Sequence, residues 1–195
     1  ERMRKDKDGF TPLKCEASFG MDGAAPLVLT DGKTSVKMRG KIDRIDAVGS
    51  NCPNHLPADQ LMRGPLKVVD YKSSSAAISE KEAQYGRNIQ LPVYALACSQ
   101  VLFPGETVNV GNYLSITSGK SIGKLEFTKE KKDPDAPKLL DVTKEKILSF
   151  KKGMSRGNFS VRPNGSDVCK SCDHANICRI KELSAAVSSI SEDSD

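Results

Sequence analysis

The sequence contains no tryptophan, and aromatic residues make up only 5% of it. This scarcity argues against a platform of stacked rings like those of single-strand-binding proteins. No apolar run is long enough to span a bilayer, and no signal peptide is visible. Six cysteines are too sparse for a small disulfide scaffold, which favours a reducing compartment. We therefore expect a cytoplasmic protein with no membrane association.

Length and charge set wide bounds on the function. The 195 residues suffice for one sizeable core and a small appendage, and the net charge of +5 is compatible with a nucleic-acid partner. The chain starts at Glu1 rather than at methionine, so we expect a fragment or a processed product. Segment 118–121 imitates the end of a phosphate-binding loop, but Leu114 stands where the first glycine is needed. An ATP-driven motor is thereby excluded.

The chain is organised around segment 67–74, which reads KVVDYKSS. Val68 and Val69 are β-branched and apolar, so they predict a buried strand. Residues two apart on a strand face the same side, and Asp70 and Lys72 therefore project together from the end of this strand. Burying a carboxylate and an ammonium group there is unfavourable unless they are paired or used.

A second strand is predicted over 34–47, and Asp43 lies on it. If this strand pairs with the one that contains Asp70, the two carboxylates meet beside Lys72. Two carboxylates suit a hard cation such as Mg²⁺ or Mn²⁺, which would clamp a phosphodiester and activate a water molecule. Lys72 would orient that water or offset charge in the transition state. The alternative is an ordinary ion pair at a strand end.

Other elements frame these two strands. Ser79 and Glu82 form a capping-box pattern that predicts a helix reaching Val101, divided or bent at Pro92. The remaining predicted strands are 10–20, 27–29, 108–117 and an edge strand at 125–127, and a second helix is predicted from Asp141 or Thr143 to about Met154.

Three more residues are candidates for the site. Gln90 and Tyr94 stand four apart on one face of the helix that follows Lys72, so both would point at a phosphate or at Lys72. Alternatively, Tyr94 is a core aromatic residue and Gln90 its neighbour. Glu16 would supply a third carboxylate, or it is a solvated strand residue.

The C-terminal part of the chain has the spacing of a metal site, Cys169-x₂-Cys172-x₅-Cys178. Three thiolates within ten residues can wrap one soft metal centre. A complete iron–sulfur site needs a fourth ligand, and the upstream candidates are Cys15, Cys52 and Cys98, unless that ligand precedes Glu1. A zinc site with His174 is an alternative, as are three buried structural thiols.

Taken together, these segments resemble the PD-(D/E)xK nuclease superfamily, and within it the RecB/AddB-type nuclease domain. The matching stretches occur in the family's order and are 40–46 (GKIDRID), 68–74 (VVDYKSS), 90–94 (QLPVY) and the cysteines from Cys169 to Cys178. The resemblance covers about residues 10–179. The chain departs from the family in two places. Family members often carry an upstream histidine or acid that completes the metal site, and no histidine precedes Asp43 here. The upstream cysteine of iron–sulfur members has no counterpart.

The resemblance implies an α/β fold, a restriction-endonuclease-like core whose central mixed sheet is flanked by helices. It implies Mg²⁺ or Mn²⁺ binding by Asp43, Asp70 and the Tyr71 carbonyl, with Lys72 as the catalytic lysine. Gln90 and Tyr94 are the helix motif beside it, and Glu16 substitutes for the missing upstream ligand. The cysteines would hold a 4Fe-4S cluster that is incomplete or absent in this fragment.

We therefore expect a nuclease core over 1–160, a cysteine segment over 161–180 and a polar tail over 181–195. The expected activity is metal-dependent hydrolysis of DNA, as the exonuclease module of a helicase–nuclease repair complex with a helicase partner. The alternatives are a non-catalytic DNA-binding or scaffolding module of the same fold and a zinc-stabilised interaction domain.

Overall fold

The computed structural model describes residues 9–48, 64–73, 79–128, 137–161, 163, 167–178 and 180. The chain forms two compact units, Glu1–Lys152 and Gly153–Asp195. The predicted polar tail and Cys52 lie outside the described residues, and the predicted domain boundaries stay a prediction. Within the described part, no helix is long and apolar enough to cross a membrane.

The first unit is built on a five-stranded mixed sheet. Its strands are β1 (Phe10–Phe19), β4 (Gly40–Val48), β5 (Leu66–Lys72), β6 (Val108–Ser115) and β7 (Ser121–Glu126), in that spatial order. β5 pairs in parallel with β6, and the other neighbours are antiparallel. A parallel pair requires a crossover connection, which here contains helices α1 (Glu80–Gln84) and α2 (Gln90–Ala97). The predicted mixed sheet with flanking helices is confirmed.

β5 lies in the middle of this sheet. Its residues from Leu66 to Asp70 are all buried, as a strand covered on both faces requires. α2 packs against β5 and β6 with almost every residue buried, which explains its apolar character around the whole circumference. The long helix α3 (Leu139–Ser155) presents one buried side, with Leu139, Thr143, Ile147 and Leu148. The core is therefore continuous from the sheet to the helices.

The single strand predicted over 34–47 is wrong, because the chain changes sheets at Arg39. β3 (Ser35–Met38) pairs with β2 (Leu27–Thr30) in a separate hairpin, whereas β4 joins the main sheet. Gly20 has a φ of 68°, and a Cβ there would lie 2.7 Å from that of Arg39. A Cβ on Gly40 would lie 2.9 Å from the Phe19 ring. Two glycines thus permit the close approach at which the strands separate.

The helix predicted over 79–101 is divided, but the break lies between α1 and α2 and not at Pro92, from which a division or a bend is expected. α1 ends before Gly86, whose φ of 76° favours glycine. Pro92 is the third residue of α2, where a backbone N–H has no partner within the helix, so the proline is tolerated. A π-helical turn, Cys98–Leu102, follows. The expected capping box is absent, because Ser79 is the N-cap residue but its side chain makes no capping hydrogen bond.

Candidate active site

The pairing of β4 with β5 brings Asp43 and Asp70 together. Arg44 pairs with Val69 in antiparallel register, so the residue before Arg44 lies across from the residue after Val69. The Tyr71 backbone N–H donates a 2.8 Å hydrogen bond to Asp43 Oδ2. Both carboxylates therefore lie on one face of the sheet at the end of β5, next to Lys72.

α2 covers this face and links the charged groups to one another. The Gln90 side chain accepts a 2.6 Å hydrogen bond from Lys72 Nζ and donates 2.7 Å and 3.0 Å bonds to Asp70 Oδ1 and the Tyr94 hydroxyl. Gln90 lies at the first position of α2, and Tyr94 lies one turn later on the same side. The structure therefore brings Asp43, Asp70, Lys72, Gln90 and Tyr94 into one cluster.

The carboxylate of Asp70 is the unusual group of the cluster. Asp70 is 2% exposed, and burial raises its pKa, with the charge of Asp43 acting in the same direction and Lys72 opposing both. Lys72 Nζ lies 2.8 Å from Asp70 Oδ2, so the two groups form an ion pair. Apart from this ion pair, Asp70 Oδ2 has no hydrogen-bond partner among the described residues.

Tyr94 lies under the influence of the same charges. Burial raises the pKa of its hydroxyl, the negative charges of Asp70, Asp43 and Glu16 add to the shift, and the hydrogen bond from Gln90 opposes it. The Tyr94 ring packs edge-on against Phe19, with centroids 6.4 Å apart. Tyr94 is therefore both a core ring and a neutral hydroxyl group at the site, which unites the two interpretations of this residue.

Glu16 lies at the edge of the cluster. It stands between Cys15 and Ala17, whose partners Arg44 and Ile42 flank Asp43 in the register of β1 and β4. Its side chain is 67% exposed and lies 3.4 Å from Lys41 Nζ. Its φ of 52° is a left-handed value that favours glycine, so the backbone is strained there. Its role as a third carboxylate stays a prediction.

The donor atoms fit a magnesium-type cation. A buried carboxylate oxygen that is compensated by one partly exposed lysine, beside a second carboxylate, offers hard oxygen ligands. No group of three His, Cys, Asp or Glu side chains that could hold a metal is found in the described parts of the chain. Mg²⁺ does not need such a group, since it is usually bound by one or two carboxylates together with water and phosphate oxygens.

The opposite face of the same two strands carries a fully paired set of polar side chains. Arg44 donates two hydrogen bonds, of 2.8 Å and 2.9 Å, to the buried carboxylate of Asp46 and a third, of 2.7 Å, to the Tyr71 hydroxyl. These contacts join β4 to β5 directly behind Asp43 and Asp70. The alternation of residues along a strand could have indicated this set, because Arg44 and Asp46 are two apart.

Tyr113 is a residue of the site that the sequence motifs do not indicate. Its buried ring lies 5.3 Å from Lys72 Nζ, a cation–π distance. Its hydroxyl donates a 2.6 Å hydrogen bond to Asn88 Oδ1 and accepts a 3.4 Å bond from the Leu91 backbone N–H. Tyr113 therefore supports Lys72 and fixes the start of α2. Only the parallel register of β5 with β6, which pairs Asp70 with Tyr113, reveals it.

Among the described residues, the cysteines of the second unit belong to no group of three side chains that could hold a metal ion. Cys172 is exposed, and Cys169 and Cys178 are half-buried, near a 3₁₀ turn (Asp167–Cys169) and the short helix α4 (Ala175–Cys178). In this arrangement they do not fit an iron–sulfur cluster, and the cluster and its zinc alternative stay predictions. Among the proposed fourth ligands, burial raises the pKa of Cys98 to about 12, which disfavours the thiolate that a metal requires.

Comparison with known proteins gives the family. Residues 1–179 match the model of the PD-(D/E)XK nuclease superfamily. An ATP-dependent helicase/deoxyribonuclease subunit of Lysinibacillus sphaericus is 37% identical over 110 residues, which are 52% of this chain and 8% of that protein. The subunits of the same name from Alkaliphilus oremlandii and Moorella thermoacetica are 32% and 36% identical over 90 residues, 45% of this chain and 7% of each. The predicted resemblance to these nucleases is confirmed, whereas its iron–sulfur motif stays a prediction, and the chain belongs to the PD-(D/E)XK nuclease superfamily.

Proposed function

We propose that this chain is the nuclease module of a helicase–nuclease complex and hydrolyses DNA phosphodiester bonds with a divalent cation. The observation that carries the proposal is the buried carboxylate of Asp70, whose Oδ2 is compensated among the described residues by the ion pair with Lys72 and whose charge is opposed by that of Asp43. A buried charge that is incompletely compensated is unfavourable, and such groups concentrate at functional sites.

Asp43 and Asp70 are the residues that would hold Mg²⁺ or Mn²⁺, with the Tyr71 carbonyl and Glu16 as further ligands. When bound, the cation supplies Lewis-acid polarisation of the phosphodiester and lowers the pKa of a water molecule. The oxygen chemistry of the pair fits this role, because carboxylates and carbonyls select hard cations over soft ones.

The remaining three residues of the cluster position the charged side chains and stabilise the charge of the transition state. Lys72 is partly exposed and held at two points, by Gln90 Oε1 and by the Asp70 carboxylate, so its ammonium group has a fixed direction. A fixed positive charge next to the phosphate offsets charge that develops in the transition state. Gln90 sets the orientation of Asp70 and Lys72 together, and Tyr94 holds Gln90 in place.

The relatives support DNA as the substrate and a helicase as the partner. They are named as subunits of an ATP-dependent helicase/deoxyribonuclease. This chain spans 7–8% of the length of these proteins, so the match corresponds to a small part of each. The absence of a phosphate-binding loop motif from this sequence agrees with a motor that lies elsewhere.

The test is cleavage of end-labelled single- and double-stranded DNA in Mg²⁺, Mn²⁺ or EDTA. We expect metal-dependent cutting that Lys72→Ala reduces by at least about a hundredfold, the usual effect of removing one stabilising group. Lys37→Ala, at an exposed lysine of β3 outside the cluster, is the control and should cut like the wild type. Cutting that persists in EDTA, or in Lys72→Ala at the wild-type rate, would refute the assignment.

A further inference from the structure

A groove borders the candidate active site on the side of α2. It has a volume of about 470 Å³ and lies between the β3–β4 junction, the α1–α2 connection and the first turn of α2. Lys72, Gln90 and Tyr94 form one wall, so the groove opens directly beside the cluster. Its volume lies in the range of ligand sites rather than of packing defects.

The groove is positively charged. Its lining contains three cations, Lys72, Arg39 and Arg87, and no carboxylate. Arg39 and Arg87 are exposed residues of the β3–β4 junction and the α1–α2 connection. Within the described residues, Arg39 makes no ion pair or hydrogen bond, and the Arg87 guanidinium lies over the Tyr85 ring, 3.7 Å from Glu82. Two arginines in the lining of one groove suit a phosphate group, which guanidinium groups bind well.

Except for Asn88, the rest of the lining is apolar. Met38, Ile89 and Val93 contribute aliphatic surface, and Phe19 offers no open ring face because it is 1% exposed and packs against Tyr94. This surface can contact a sugar or the side of a base without stacking. A base reaches it only when it has left the paired stack of a duplex, as bases of single strands do.

We propose that this groove binds one unpaired nucleotide of the DNA strand, next to the phosphate that is cut, with Arg39 and Arg87 at the phosphate of that nucleotide. The proposal rests on the proposed function and specifies its substrate as a single strand. Tyr94 is held by Gln90 and packs edge-on against Phe19, and Asn88 Oδ1 is already bonded to Tyr113, so base identity matters little. Phosphate contacts position a strand but do not read its sequence.

The test measures binding of a fluorescein-labelled single strand of about 12 nucleotides, within the range of strand-binding sites, by anisotropy over a series of salt concentrations. The 195-residue chain is used in EDTA, where metal-dependent cleavage is absent. Arg39→Ala and Arg87→Ala should each weaken binding about fivefold, as expected of an exposed charge contact. Each should also reduce the magnitude of the slope of log K against log salt by about 0.7, the value for one phosphate of a single strand. Arg39→Lys and Arg87→Lys should restore the slope.

Lys37→Ala is the matched control, since Lys37 is exposed on β3 close in sequence to Arg39 but does not line the groove. It should leave the affinity of the strand near that of the wild type. A blunt duplex of the same sequence should compete at least about tenfold less well than the unlabelled single strand, a difference of about 1.4 kcal/mol. Wild-type affinity and slope in the Arg39→Ala/Arg87→Ala double variant, no binding by the wild type, or equal competition by the duplex would each overturn the proposal.

The two proposals fail separately. A wild-type protein that cuts DNA but binds it independently of both arginines would retain the nuclease function and remove the nucleotide subsite. A protein that binds single strands through both arginines but never cuts would support the groove as a strand-binding site and refute the nuclease activity.

Discussion

Replacing Asp70 by asparagine should stabilise the metal-free protein. The substitution keeps the size of the side chain and removes its charge. Burial raises the pKa of Asp70, and so does the neighbouring charge of Asp43. A carboxyl group whose pKa is raised in the folded protein stabilises the fold at a pH below its ordinary pKa of 3.8. This contribution is lost as the pH rises through the raised pKa. At neutral pH the wild type carries the full cost of that buried charge, and the asparagine variant does not.

The magnitude follows from two opposing contacts. Desolvating a buried polar group costs about 1–3 kcal/mol, and the variant recovers part of this cost because it removes the charge. The variant loses the attraction to Lys72, whose side chain is 31% exposed, so this loss is at most about 1 kcal/mol. The net gain is about 1 kcal/mol, and for a chain of this size it corresponds to a rise in Tm of about 3 °C.

The assay is thermal unfolding in EDTA and in Mg²⁺, from about pH 5 to about pH 8, the range in which proteins are usually most stable. At about a hundred times its Kd, Mg²⁺ should stabilise the wild type by about 2.7 kcal/mol and so raise its Tm. The Tm of Asp70→Asn should hardly change on addition of Mg²⁺. The gain of the variant in EDTA should shrink as the pH falls towards 3.8.

Asp46→Asn is the matched control, because Asp46 is 1% exposed on β4 and bonded by Arg44. This variant should lose about 2 kcal/mol of stability and keep the rise in Tm that Mg²⁺ causes in the wild type. A Tm of Asp70→Asn below that of the wild type in EDTA, or an undiminished Mg²⁺ shift, would refute the reasoning.

Three further outcomes follow from the packing and from the cysteines. Tyr113→Phe removes the hydrogen bond to Asn88, so the free energy of unfolding in urea should fall by about 1 kcal/mol; an unchanged value would contradict this bond. Gly111→Ala places a Cβ 3.0 Å from Phe127 and 3.1 Å from Leu91, and this crowding should lower the free energy of unfolding by about 1–3 kcal/mol. The urea midpoint should then fall at constant m, whereas an unchanged midpoint would show that the neighbours can move. Anaerobically purified protein should contain iron and absorb visible light if the cysteine spacing holds a cluster; a colourless zinc-loaded protein would favour the zinc alternative, and a metal-free one would contradict both.

The strand-borne part of the site was predictable because its signals are local. Val68 and Val69 indicate a buried strand, and the period of two places Asp70 and Lys72 on one face whatever the rest of the chain does. The helical spacing of Gln90 and Tyr94 is a local signal too. It holds although the predicted helix is divided, because both residues lie in α2.

Features that depend on contacts distant in sequence were not predictable in the same way. The place where 34–47 divides is set by Gly20 and Phe19 approaching Arg39 and Gly40, which no periodicity in that segment indicates. Tyr113 lies 41 residues from Lys72 in sequence, and only the parallel register of β5 with β6 brings its ring to the lysine. The expected capping box failed because a residue pattern permits a side-chain bond without enforcing it.

The two faces of the β4–β5 pair compensate a buried carboxylate differently. On one face, Arg44 donates hydrogen bonds to both oxygens of Asp46 and also to Tyr71. On the other face, Gln90 donates to one oxygen of Asp70, and among the described residues the other oxygen has the ion pair with the partly exposed Lys72. The charge of Asp70 is therefore less completely compensated than that of Asp46. Since sequences break such local rules mainly at functional sites, this difference supports the proposal that the Asp70 carboxylate binds a ligand.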